Sequence, residues 1–249
     1  MRADIKELAS IRSLWVIPIC AILAHISSVS LISFFLDKVD QPADVPYEQL
    51  TASGLFMVMI GIYGTLASTG VLSRNSIALE MLVQPRRGTV MATKASAVAV
   101  MVTAASIIGY GVTHPIMIAI IKAHNVPCLS YGLTDIAKSL GLFILTALFV
   151  AFLGYCFGFI FISPAGGVIA VFVIQWGTGM ITGLVGLIPG LKDIVETVYK
   201  YLPVHLEGEI QDLNSSPADW FKSFAFILVW CAVVYIFGLF RFRKYVPCR

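Results

Sequence analysis

Six stretches of this 249-residue chain are apolar and almost free of charge: 14–36, 51–72, 95–121, 140–162, 168–189 and 220–240. Each is long enough for one bilayer crossing, because a hydrocarbon slab of about 30 Å takes about 20 helical residues rising about 1.5 Å each. The sole Asp, Glu, Lys or Arg in all six is Lys222, near the start of its run, where its stem can snorkel to the headgroups. In lipid, backbone polar groups must be satisfied within the chain, so such runs become helices or closed barrels. Barrel strands alternate apolar and polar residues, and these runs do not. The sequence therefore predicts an all-α polytopic membrane protein, a single domain over 1–249 with six transmembrane helices. Composition agrees. Only 12% of residues are charged, against about 25% in soluble domains, which excludes disordered and nucleic-acid-binding classes.

Charge in the connections sets the expected orientation. The N-terminus, the second connection and the tail carry 11 Lys or Arg against three acids, Asp4, Glu7 and Glu80. The opposite side has six Lys, no Arg and 11 acids. Both termini are predicted on the cytoplasmic side of the cell membrane. The net charge of +3 is the residue of this asymmetry. Ahead of the first run, Ile5, Leu8, Ile11 and Trp15 recur at helical spacing among Lys6, Glu7 and Arg12, predicting a short interfacial helix over 3–15. The run itself is longer than a signal-peptide core and is read as a retained helix.

The connections leave no room for a soluble domain. Ser163–Gly167 reads as a bare reversal. The longest outer stretch, 190–219, opens with Leu191, Ile194, Val195, Val198 and Leu202 at amphipathic spacing before Pro203, predicting one short helix against the outer mouth. Of five cysteines, Cys20, Cys156 and Cys231 lie in apolar runs, Cys248 is in the tail and Cys128 alone faces outward. No disulfide or metal site is expected.

Several chemistries lack their residues. There is no phosphate-loop motif, no H-E-x-x-H and no G-x-S-x-G, so the chain is read as neither an ATP-binding nor a hydrolytic enzyme, with no cofactor of its own. Intramembrane polar residues are few. His25 and His114 are candidates for a substrate or proton path, and each also suits a neutral imidazole bonded to a neighbour such as Ser27, Ser28 or Thr113. Gln175 and Trp176 are the other polar-aromatic candidates. Pro115 and Pro18 should weaken their helices locally. Gly154/Gly158, Gly179/Gly183 and Gly186/Gly190 have G-x-x-x-G spacing, and Gly61, Gly64 and Ser68 line one side of the second run, all suited to close helix packing.

The second connection, 73–94, is the one inner loop with internal apolar periodicity: Ile77, Met81 and Leu82, then Pro85, Arg86 and Arg87, with Lys94 opening the third crossing. Topogenic charge explains the arginines but not the apolar face or the embedded Glu80. A short amphipathic helix here suits docking to a soluble partner. With six crossings, an interfacial N-terminal helix, and Gln84-Pro85-Arg86-Arg87 followed by Ala92-Thr93-Lys94, the chain resembles the permease subunits of ABC-2 type (type V exporter-like) ABC transporters. At Ser76-Ile77 many members carry Gly-Thr, a difference that bears on subfamily and substrate.

The resemblance implies a coupling helix in 73–94, with Glu80, Met81, Pro85, Arg86 and Arg87 docking an ATPase and Lys94 anchoring at the interface. It implies two copies of a separate cytoplasmic ABC ATPase that bind ATP and Mg, and a second permease chain, identical or paralogous. The cargo would be a hydrophobic or amphipathic drug, peptide or lipid-like compound, since the passage lacks fixed charge. Two alternatives stand beside this reading: a proton-coupled carrier using the histidines, and a membrane adaptor or sensor without transport.

Overall fold

The computed structural model describes residues 12–36, 54–73, 87–123, 133–186, 188, 191–212 and 216–244. Among the described residues there are eight helices and no strand. They are α1 (Arg12–Leu36), α2 (Gly54–Ser73), α3 (Arg87–Ala123), α4 (Leu133–Phe161), α5 (Pro164–Val185), α6 (Lys192–Tyr199), α7 (Pro203–Gln211) and α8 (Pro217–Lys244). Each predicted apolar run overlaps one of them over its described residues. α3, α4, α5 and α8 are long and apolar enough to cross a membrane, and α1 and α2 hold shorter apolar helices at Trp15–Ser28 and Gly54–Gly70. This is the architecture of a multi-pass membrane protein.

The boundaries move where local chemistry extends a helix beyond its apolar run. α3 starts at Arg87, eight residues before the predicted start at 95, and runs through Pro115 as one helix. α1 likewise continues through Pro18. At the α4–α5 reversal, Ser163 caps α5 by accepting from the Gly166 N–H at 3.4 Å, and Pro164 fills the first helical position. The predicted turn residues 164–167 are therefore the first turn of α5. The reversal itself takes two residues, with Ile162 in the left-handed region at φ 54, a conformation that costs a β-branched residue about 1–2 kcal/mol.

α4 is the centre of the bundle. Of its apolar window 61% is buried, against 11% for α5 and 22% for α8. It packs on α2, α3, α5 and α8, while α1 packs on α2 and α3. Close approach of α2 and α4 depends on the glycines. A methyl group on Gly154 would overlap the Gly61 carbonyl, one on Gly64 the Ala151 carbonyl, and one on Gly158 the Ser68 hydroxyl. The resulting contact lets Thr65 Oγ1 donate to the Gly154 carbonyl at 3.0 Å. A second tie crosses from α4 to α3, where Tyr155 Oη donates to the Met91 carbonyl at 2.9 Å. By contrast Gly179 and Gly183 on α5 meet nothing within 4 Å.

The stretch after α5 departs from expectation. Two helices form instead of one. α6 carries the predicted amphipathic spacing, but Ile194 and Val198 are exposed rather than packed against a mouth. α7, which the sequence reading missed, is the one that enters the bundle. Leu206 and Ile210 join the core, and the linker ahead of it is pinned by Trp230 Nε1 donating to the Tyr201 carbonyl at 2.9 Å.

Candidate functional site

The proposed docking surface lies largely outside the described residues: so do Glu80, Met81, Pro85 and Arg86, the interfacial helix up to residue 11, and Cys128 and Cys248. Arg87 is the first residue of α3. Lys94 lies two turns further along the same helix. It is 5% exposed, on the buried face with Met91, Ala97 and Val98. That position faces the neighbouring helices of the bundle. Burying an ammonium costs several kcal/mol unless it is engaged, and Lys94 has an interaction partner.

The four intramembrane candidates do not converge on one centre. His25 is fully buried, packed against Phe56 at 5.4 Å and stacked on Phe143 at 5.2 Å between ring centroids. Phe143 meets Tyr110 at 5.8 Å, and Tyr110 stacks on His114 at 5.5 Å. The two histidines are thus linked by ring contacts through Phe143 and Tyr110. The expected hydroxyl partners are turned elsewhere: Ser27 and Ser28 donate to the Ala24 carbonyl and Thr113 to that of Gly109. Neither nitrogen of His25 has a hydrogen-bond partner among the described residues.

Gln175 and Trp176 sit together at a local irregularity. Residues Val173–Gly177 widen α5 into a π turn, a feature that re-aims side chains and recurs at functional sites. Trp176 points to the bundle edge, packed on Phe172 at 5.0 Å, with its indole nitrogen 3.7 Å from where a Cβ on Gly54 would stand. Gln175 turns inward and its Nε2 donates to Glu207 Oε1 of α7 at 2.9 Å. Glu207 is 6% exposed. Burial pushes its carboxyl up to about 8, against the opposing pull of the Gln175 amide. At neutral pH it is predominantly a protonated, hydrogen-bonded acid.

Glu207 is the polar group that sequence reasoning missed. A signal was present: Pro203, Leu206, Glu207 and Ile210 form one face of a short helix, so an acid stands within an apolar stripe. Among the described residues no cluster of His, Cys, Asp or Glu could hold a metal ion, and Cys20, Cys156 and Cys231 are free thiols. Compared with models of protein families and with curated proteins, the chain matches none.

Proposed function

We propose that this chain is the membrane-spanning subunit of an ATP-driven ABC-2 type exporter in the cell membrane, with α1, α2, α3, α4, α5 and α8 as six crossings and both termini cytoplasmic. The observation that carries the reading is the form of α3. Its 37 residues rise about 55 Å, well beyond the slab of about 30 Å. From Arg87 the helix runs into the bundle core. A separate ATPase, two copies binding ATP and Mg, would grip 73–94 and bias the bundle between two packings through its different affinity for them. Hydrolysis belongs to that partner, and a second permease chain completes the passage. The cargo is a hydrophobic or amphipathic compound, in keeping with a core built mostly of apolar side chains.

The test is copurification with a soluble phosphate-loop ATPase, before and after Arg86→Glu/Arg87→Glu. Lost assembly or lost coupled hydrolysis, with the permease still inserted, supports docking. Intact coupled activity overturns it. Glu207 favours one alternative, because proton-coupled carriers use buried carboxyls. Transport that collapses with the proton gradient and survives ATP depletion would select that reading instead.

A further inference from the structure

Two cavities lie end to end along one seam of the bundle. The deeper, about 290 Å³, sits between α3, α4 and α8 and is lined almost wholly by apolar atoms, including Val98, Leu145, Phe149, Phe224 and Leu228. The shallower, about 360 Å³, lies where α4 and α8 begin and is lined by Lys138, Asp212, Trp220 and Phe221 among others. On α4 the lining residues 138, 142, 145, 149 and 152 follow one another at steps of three and four. On α8 the residues 217, 221, 224, 228 and 231 do the same. Steps of three and four keep to a single helix face, so both cavities occupy the same pair of faces. Trp220 of the outer cavity stacks on Phe224 of the deeper one, 5.3 Å between centroids and 9° from parallel, giving the two a shared wall.

The seam runs about 21–25 Å along the helix axes. It begins at a charged, Trp-bearing mouth and ends in the apolar interior. Those are the dimensions and polarity of one leaflet's lipid, headgroup and tail together. The floor offers a ligand little polar contact, because the hydroxyl of Tyr155 is committed to the Met91 carbonyl and the remaining polar side chain is the weakly polar thiol of Cys231. The mouth sets an exposed ammonium, Lys138, and a carboxylate, Asp212, beside one opening. A head carrying phosphate and amine complements both.

We propose that the α4–α8 seam is a binding site for a single amphiphile of the leaflet where these helices begin, its tail in the apolar cavity and its zwitterionic phosphate–amine head at Lys138 and Asp212. Binding of this kind needs neither nucleotide nor a second protein, so it stands apart from the exporter reading.

The full chain, reconstituted in phosphatidylcholine nanodiscs, is doped with phosphatidylethanolamine carrying a photoreactive acyl chain. Parallel samples carry the same tail on phosphatidylglycerol or diacylglycerol. Cross-links should concentrate on 138–155 and 217–231, strongest for phosphatidylethanolamine and weakest for diacylglycerol. Lys138→Glu, at an exposed position, should lower the phosphatidylethanolamine yield about tenfold, the cost of one lost charge-assisted contact. Leu228→Trp, which fills the deep cavity from an exposed position, should abolish labelling while the thermal transition stays. Labelling spread evenly over all lipid-facing helices, equal yields for the three heads, undiminished yield in both variants, or cross-links to a second copy of the chain would overturn the proposal.

Discussion

Gly154 occupies a place that no other residue fits, since even one added carbon would run into the Gly61 carbonyl. Between helices in lipid, packing and hydrogen bonds replace the hydrophobic effect as the source of association. Gly154→Ala should therefore destabilise the fold by about 1–3 kcal/mol, the usual cost of overpacking, and weaken the Thr65 bond to the Gly154 carbonyl. Gly179→Ala, in open space, should leave the thermal transition unchanged, and equal effects of the two would refute the steric account. Both glycines have the same G-x-x-x-G spacing. The motif alone could not separate them, because a partner helix for either is a fact of three-dimensional packing. His25 poses a similar contrast. Its two unsatisfied nitrogens cost about 1–3 kcal/mol if they do no other work. His25→Leu should accordingly keep or raise the melting temperature, and a marked fall would reveal a partner that the imidazole needs. The sequence marked this histidine as a candidate, and the structure supplies what the sequence lacked, an aromatic box in place of hydroxyl partners.

At the scale of elements, α7 is held by the Gln175–Glu207 hydrogen bond as well as by Leu206 and Ile210. Glu207 titrates normally at 4.5 and is pushed up to about 8 when α7 is docked. Below about 4.5 the acid is protonated whether α7 is docked or not, and its stabilising bond is fully present. Between 4.5 and 8 the undocked or unfolded chain sheds the proton while the docked one keeps it, so stability falls as pH rises through this window. Above 8 no further loss follows. Glu207→Gln should flatten the dependence and make the protein more stable than wild type at alkaline pH, as read by thermal unfolding between pH 5 and pH 9. A parallel slope in the variant would remove Glu207 as its cause. This element also marks where the fold stopped being legible. The four long apolar helices, and the shorter apolar stretches of α1 and α2, were readable because a run of uncharged apolar residues has one stable conformation in lipid. α7 was not, because nine residues with an acid in their apolar stripe read as loop until the partner, Gln175 on a π turn, is in place. The π turn itself has no pattern in the sequence, since it depends on packing around α5.

For the whole molecule, the consequential feature is the continuity of α3 from Arg87 into the centre of the bundle. A stiff helix transmits displacement, and a flexible joint absorbs it. The first turns of α3 are fixed laterally: a Cβ built on Gly238 of α8 would stand 3.2 Å from the Met91 side chain, and the Met91 carbonyl accepts from Tyr155. Force that travels along α3 from before residue 88 passes through the segment 88–91 on its way to α4 and α8, beside the second route through α2, which packs on α4. Two glycines inserted between Gly88 and Thr89 would cost about 2 kcal/mol of helix propensity and place a swivel ahead of that fixed point. On the exporter reading, the permease should still insert and still copurify with its ATPase, because the docking loop and the bundle are both intact. Hydrolysis should fall to the rate of the ATPase alone, and transport should stop. Measured side by side in vesicles, hydrolysis and transport that remain coupled across such a swivel would show that the force does not travel along α3.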